Sequence, residues 1–295
     1  MPNTKRERLS GWGHTSVEEC LSFRPEKQRD VRAIIHDPNP IIARGLGRSY
    51  GDASLQPTGT VRTERLNHFI HFDTEKGIVT AQAGVTLAEL IELAVPQGWF
   101  PHHIPGSRHI TLGGAFACNV HGKNHYREGD FAEKTLSIRL VIANGDTIEC
   151  SPTVNSDLFW ATAGGMGMTG IIEQITLQLK PIASSSLTAT TYRVDSLDDM
   201  FAAFEHFRET SDYMVGWIDH MAKGDAIGRG IFEAATHTSL EEGGTPLADF
   251  KPSKKSMNVP CFLPPFVLNR YTMALYNLRR FKKYSFQRRI KLLGR

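Results

Sequence analysis

Residues Ala43 to Ala53 read ARGLGRSYGDA and hold the densest set of chemically useful side chains in the chain. Gly45, Gly47 and Gly51 let the backbone adopt positive φ and approach a ligand closely. A loop of this kind can turn consecutive N–H groups inward as an anion-binding concavity suited to phosphate. Arg44 and Arg48 add fixed positive charge, Ser49 and Tyr50 add hydroxyl donors, and Asp52 is placed to brace the loop beyond Leu46. Three glycines alone fit an ordinary surface turn equally well. The stretch is not the dinucleotide fingerprint GxGxxG, and no GxxxxGK[ST] loop occurs anywhere.

A second stretch, Pro105 to Asn124, reads PGSRHITLGGAFACNVHGKN. After Gly106 and Thr111, the run Leu112 to Val120, with Gly113 and Gly114 in it and Cys118 and Asn119 near its end, is small or apolar, so backbone must pass tightly against something flat. His121, Gly122 and Lys123 close it; the glycine lets both neighbouring side chains come near a bound ring. A lone histidine is more often structural than catalytic. A third element, Gly164 to Ile172, fits a tight helix-to-strand turn and a cofactor contact equally well, with Gly170 and Ile172 at its end.

The first two stretches together resemble the FAD-binding domain of the p-cresol methylhydroxylase and vanillyl-alcohol oxidase type. Within it they are most similar to the bacterial decaprenylphosphoryl-β-D-ribose 2′-oxidases. The resemblance runs from about Gly11 to about Gly230. It implies an α+β fold: a two-subdomain FAD-binding domain over residues 1–182, then a partial substrate domain with an antiparallel sheet over 183–295. It implies that Ala43 to Asp52 cradle the FAD diphosphate, and that Gly106, Thr111 to Gly114, Cys118, Asn119, His121, Gly122, Gly170 and Ile172 contact the cofactor. Tyr50, His121 and Lys123 would be catalytic, with His121 bonding a substrate hydroxyl and Lys123 stabilising charge on the reduced flavin. Trp12, His14 and Trp217 match positions lining a sugar pocket. Arg48 stands where covalent members have the linking histidine, so FAD is expected to be bound without a covalent bond. The implied reaction is oxidation of a secondary sugar hydroxyl, with a polyprenyl-phosphate ribose foremost and an alditol or sugar lactone as the alternative. The implied partners are a quinone or similar acceptor and a short-chain reductase that completes an epimerisation to arabinose. A flavin-binding remnant without activity is the reading from a different class.

The elements that must position these residues follow from periodicity. Pro25 to His36 reads as a helix with Val31, Ile34 and Ile35 inward, and Ile41 to Arg44 as the strand feeding the first loop. Leu66 to Phe72 and Ile78 to Ala83 alternate as strands. Thr86 caps a helix running to Val95, with Glu89 completing a capping box. Leu136 to Ala143 and Thr147 to Cys150 form a hairpin across Asn144-Gly145-Asp146. Asp157 to Ala163 is a helix, and Ile171 to Leu179 a strand with its odd-numbered residues on one face. Beyond Pro181, Ser184 to Ser186 reads as a linker. Ser196 to Glu209 reads as a helix with Leu197, Met200, Phe201 and Phe204 inward, Tyr213 to Asp219 and Gly230 to Ala234 as strands, and Thr236 to Ser256 as a polar loop.

At 295 residues with 40% hydrophobic and 22% charged content, the chain is a globular protein and not a disordered one. Its N-terminus lacks the apolar stretch of a secretory signal, and no apolar run is long enough to span a bilayer. The four cysteines show no metal-ligand spacing and read as free thiols of a reducing compartment, so the expectation is a cytoplasmic protein without a metal. The net charge of +3 hides an asymmetry: Lys251 to Arg295 holds twelve Lys or Arg and no Asp or Glu. That basic end points to an anionic surface, lipid headgroups or nucleic acid. Beside the resemblance, the expectation is peripheral contact with the inner membrane face and no nucleic-acid partner. Residues Asn277 to Arg295 are expected to dangle as a partly helical tail with Leu278, Phe281, Ile290 and Leu293 available to lipid. The resembled oxidases run well beyond this length, so the chain reads as a truncated, interrupted or split member.

Overall fold

The computed structural model describes residues 3–252, 266–284 and 287–293. The expectations for Cys261 and for residues 253–256 of the polar loop lie outside them. The chain divides into two units, Met1–Pro181 and Ile182–Arg295.

In the first unit the elements run β1 (Asn3–Ser10), β2 (Val17–Arg24), α1 (Gln28–Ile35), β3 (Ile42–Arg44), β4 (Thr60–Arg62), β5 (Phe69–Asp73), β6 (Ile78–Gln82) and α2 (Leu87–Ala94). They continue with β7 (Trp99–Phe100), α3 (Leu112–Ala117), α4 (His125–Glu128), β8 (Thr135–Val141), β9 (Thr147–Cys150), α5 (Ser156–Thr162), β10 (Ile171–Gln178) and β11 (Lys180–Pro181). One sheet has the order β1-β2-β4-β3, a second β5-β6-β10-β8-β9, and β11 pairs with β7. The second sheet is antiparallel throughout, whereas β2 and β3 both lie parallel to β4.

The local chemistry explains most of these elements. Helix α1 buries Val31, Ile34 and Ile35, one face at helical spacing. The Asp30 carboxylate accepts the N–H of Lys27 at 3.0 Å, occupying a donor at the helix start. Thr86 caps α2: its Oγ1 accepts the Glu89 N–H at 3.1 Å, and the Glu89 carboxylate accepts the Thr86 N–H at 2.8 Å. Strand β10 turns Glu173, Ile175 and Leu177 into the interior, where they meet Leu112, Phe116 and Phe159 from the helices. Glu173 is the exception to apolar burial there. It is fully enclosed, with Arg139 at 3.7 Å and Arg32 at 4.0 Å. Burial pushes its carboxyl above the usual range, and the two arginines offset this only in part.

The β1–β2 hairpin has no counterpart in the sequence reading. Its strands are rich in charge, and the register that makes them pair sets Arg8 opposite Glu19. Cross-strand charge pairs support a sheet without an apolar alternation to betray it. Leu66 precedes β5 instead of opening it: it is fully buried after a single 3₁₀ turn, its N–H bonded to the Thr63 carbonyl.

The second unit holds β12 (Ser186–Val194), α6 (Leu197–Phe207), β13 (Tyr213–Ile218), β14 (Gly230–His237), α7 (Arg270–Lys283) and β15 (Gln287–Leu292). Its sheet, in the order β13-β14-β12-β15, is antiparallel. Ser184 to Ser186 are buried rather than forming an exposed linker; the Ser184 hydroxyl donates to the Thr238 carbonyl at 2.6 Å. In α6 the inward stripe is Met200, Ala203, Phe204 and Phe207, the two phenylalanines packing on Phe232. Phe201 lies off that stripe and is exposed. The basic end is not a dangling tail over its described part. Strand β15 pairs with β12 from Ser186↔Leu292 to Thr191↔Gln287, and Phe281 and Leu293 are buried while Ile290 is exposed.

Candidate functional site

The strand β3 delivers its chain directly into the first glycine-rich loop, and α3 starts inside the second. Between them lies a cleft of ≈ 380 Å³, lined wholly by residues of the first unit. One wall is Ala43, Gly45, Leu46, Gly47, Arg48, Ser49 and Tyr50; the other includes Thr111, Gly113, Gly114 and Cys118, with Gly170 and Ile172 from the third element. A second hollow of ≈ 560 Å³ shares Ala43, Ala53, Gly167 and Gly170 with the first as lining residues.

The glycines of this cleft stand where a side chain has no room. A Cβ at Gly45 would run into Oγ1 of Thr111, and one at Gly113 would lie 2.8 Å from the Ala83 methyl. Gly47 has φ +62 and Gly167 φ +83, a region open mainly to glycine. None of the described residues accepts from the N–H groups of Gly47, Arg48 or Ser49, so this arc retains main-chain donors for an anion.

The two arginines of the loop separate in role. Arg44 is buried and does not line the cleft. Its guanidinium donates to the Ser10 carbonyl at 2.6 Å and to Ser54 Oγ at 3.0 Å, beneath Gly47. The expectation of a direct cofactor contact at Arg44 becomes, in the structure, a strut under the loop. Arg48 is exposed in the cleft; its Nε donates to the His109 carbonyl at 3.2 Å, and its guanidinium lies 4.8 Å from the Trp12 ring centroid. The Trp12 N–H donates to the Ser49 carbonyl at 2.7 Å, which fastens the end of the β1–β2 hairpin to the loop. His14 has φ +52 and faces Ser10 Oγ at 3.0 Å.

Not every expected residue reaches the cleft wall. Gly51 and Asp52 are exposed beside it, and Asp52 braces the turn through its carbonyl, which accepts the Leu55 N–H at 2.8 Å. Leu112 is core. Gly106 is exposed, and a side chain there would meet open space. Asn119 ties α3 to the chain beyond it: its Oδ1 accepts the Ala132 N–H at 3.0 Å. His121, Gly122 and Lys123 follow the lining residue Val120 but do not line the cleft themselves; His121 and Lys123 are exposed. The His121 ring lies 5.0 Å from that of His125, which faces Asp130 at 3.1 Å. Tyr50 is 76% exposed at the mouth. Trp217, on β13, belongs to the second unit, where Arg280 stacks on its ring at 4.8 Å.

The sequence reading missed Ser54, Thr63, Ala83 and Met166 as lining residues. Met166 was within reach, since it sits among glycines and has φ +52.

Beneath His121 to Asn124 lies a polar network. Glu128 is bonded to His102 and lies 3.1 Å from Lys180. Burial by itself would raise its carboxyl, but the His102 hydrogen bond and the Lys180 charge outweigh this and hold it at about 2. His103 is enclosed, with Nε2 3.2 Å from the Glu128 carbonyl and Nδ1 unbonded, and burial pushes it down to about 4. Asn124 donates to the His102 carbonyl at 2.7 Å. The loop carrying His121 and Lys123 thus rests on a fixed base.

The FAD binding domain family matches residues 21–151, a span containing both glycine-rich stretches. This chain carries an FAD binding domain. FAD suits the cleft in chemistry as well as position: main-chain donors and Arg48 match a diphosphate, and Gly113 and Gly114 leave that part of the wall without side chains. The chain is 36% identical over 248 residues to a decaprenylphosphoryl-beta-D-ribose oxidase of Mycolicibacterium smegmatis, covering 81% of this chain and 54% of that protein. It is 30% identical to an L-gulonolactone oxidase of Scyliorhinus torazame, covering 68% and 47%. Against the mitochondrial L-galactono-1,4-lactone dehydrogenase of Arabidopsis thaliana it is 27% identical, covering 62% and 30%. The chain spans about half the length, or less, of the curated relatives it matches. Among the described residues no helix is long and apolar enough to cross a membrane, and no group of three His, Cys, Asp or Glu side chains is placed to hold a metal.

Proposed function

We propose that the chain acts in FAD-dependent oxidation of a secondary sugar hydroxyl. The preferred substrate is decaprenylphosphoryl-β-D-ribose, taken to its 2-keto form as the first half of an epimerisation to arabinose. The observation that carries this is the cleft between the two glycine-rich stretches, in a chain 36% identical to a decaprenylphosphoryl-beta-D-ribose oxidase. A second reading, oxidation of a sugar lactone or alditol, is favoured by the 30% identity to an L-gulonolactone oxidase.

FAD bound here, without a covalent bond at Arg48, would supply the acceptor for the hydride leaving the carbinol carbon, while the hydroxyl proton is lost to water. The main-chain donors of Gly47 to Ser49 and the Arg48 guanidinium hold the diphosphate. Tyr50 stands at the mouth, and His121 and Lys123 follow the lining residue Val120 in the chain. His121 orients the reacting hydroxyl, and Lys123 stabilises negative charge as it builds. Trp12 offers an aromatic face to a sugar ring. A quinone or similar acceptor takes the electrons onward, and a short-chain reductase consumes the keto sugar.

The test is anaerobic mixing of the purified, flavin-loaded protein with farnesylphosphoryl-ribose or with L-gulono-1,4-lactone. Loss of flavin colour with the phosphoryl ribose supports the first reading, and loss with the lactone alone supports the second. No bleaching by either overturns both.

A further inference from the structure

Helix α7 divides sharply into two sides. Asn277 and Phe281 are buried against the second unit: Asn277 bonds Asp219 at 2.8 Å, and Phe281 lies under the guanidinium groups of Arg193 and Arg229. On the opposite side Tyr271, Leu275, Arg279 and Lys282 follow one another at i, i+4, i+8 and i+11, which places them on one face. Tyr271 is 70% exposed and Leu275 51%, and Phe266 and Leu268, just ahead of the helix, are exposed as well. Exposed apolar groups gathered this densely mark an interaction site. The same face ends in Arg279, Lys282 and Lys283, all exposed, and no Asp or Glu occurs anywhere from residue 251 to 295.

Among the described residues no carboxylate pairs with Arg279, Lys282 or Lys283, and exposed aromatic and aliphatic side chains beside such cations suit the headgroup boundary of an anionic membrane. A protein partner would need an acidic groove, whereas an anionic bilayer answers both halves at once. We propose that this face of α7 docks the protein on the surface of an anionic phospholipid membrane, with Tyr271 and Leu275 entering the headgroup boundary and Arg279, Lys282 and Lys283 on the phosphates. The proposal does not depend on the sugar substrate. It uses a surface remote in sequence from the cleft, and its test uses lipid alone.

The experiment is co-sedimentation of the full chain with phosphatidylcholine vesicles, with and without about one third phosphatidylglycerol, at physiological ionic strength. Wild-type protein partitions onto the mixed vesicles and stays in solution with the neutral ones. Lys282→Glu with Lys283→Glu lowers partition at least tenfold, as attraction near the surface is worth roughly fivefold per basic residue. Tyr271→Ser with Leu275→Ser also lowers it at least fivefold. Both pairs are exposed, and circular dichroism confirms that each variant is folded. Lys5→Glu with Arg6→Glu, both exposed on β1 and opposite uncharged residues of β2, changes net charge equally and leaves partition within twofold. Equal binding to neutral vesicles, no binding by folded wild type, or an equal effect of the β1 pair overturns the proposal. So does concentration-dependent dimerisation abolished by the Tyr271 and Leu275 changes, which would assign the face to a second copy.

Discussion

Gly45 and Thr111 mark the point where the two glycine-rich stretches touch: the Thr111 hydroxyl fills the space a side chain at 45 would need. That hydroxyl also caps α3, accepting the Gly114 N–H at 3.2 Å. Gly45→Ala therefore pushes against the cap of α3 as well as the cleft wall. It should cost about 1–3 kcal/mol of stability, the usual range for overpacking, and weaken FAD binding more than tenfold. Gly51→Ala meets open space and should leave both within error. Thermal unfolding and flavin titration of the two variants check this, and equal behaviour would refute the account.

Arg44 and Arg48, four residues apart, should fail in different ways. Arg44→Ala removes a buried guanidinium from the Ser10 carbonyl and Ser54, so the apo protein itself should lose stability. Arg48→Ala removes an exposed group, so apo stability should hold while FAD affinity falls by about 1.5–3 kcal/mol, the worth of a charged hydrogen bond. Urea unfolding without cofactor, beside FAD titration, separates the two. Loss of apo stability in both variants would mean that Arg48 is structural as well.

Much of this was legible in the chain because local chemistry decided it. The Thr86 and Glu89 capping box, the Asn144-Gly145-Asp146 hairpin and the buried stripe of α1 appear where their residues place them. So do the two loops that form the cleft. What escaped was decided at a distance. The β1–β2 hairpin has no apolar alternation in β1 to betray it, and its register sets Arg8 opposite Glu19. Arg44 carries the same charge as Arg48, and only the packing of Ser10 and Gly47 around it shows that it points inward. Phe201 and Phe204 look alike in sequence, and Phe232 of β14 decides which is covered.

The absence of a linking histidine at Arg48 has a direct consequence. Acid precipitation of the flavin-loaded protein should release all of its flavin to the supernatant. Colour retained in the washed pellet would show a covalent bond elsewhere in the cleft.

Glu173 is held in the interior at a cost. Its carboxyl is raised in the folded protein, so the native state binds the proton more tightly than the unfolded chain, and stability declines as pH climbs above about 4.3. Glu173→Gln removes that decline. The variant should gain on the wild type between pH 4 and pH 7 in urea unfolding. A relative loss over that interval would show that the Arg32 and Arg139 contacts outweigh burial.

His103 should make the fold sensitive to mild acid. It is neutral in the folded protein down to about pH 4, because burial disfavours its charge and its Nδ1 has no hydrogen-bond partner. In the unfolded chain it takes up a proton near pH 6.5. The unfolded state therefore gains protons first as pH falls, and stability is lost between about 6.5 and 4, by about 2 kcal/mol between pH 7 and pH 5. Glu128 acts in a lower window. Its carboxyl is depressed to about 2, so its contribution is present above about 4.5 and disappears as pH falls toward 2. His103→Gln keeps a donor for the Glu128 carbonyl but has nothing to titrate. Its urea midpoint should fall less than that of the wild type from pH 7 to pH 5, and the two should fall together below pH 4. Since this network lies under His121 and Lys123, the wild type should also lose FAD-loaded activity in the same upper window while His103→Gln retains it. Parallel pH profiles for the two proteins would remove His103 as the group responsible.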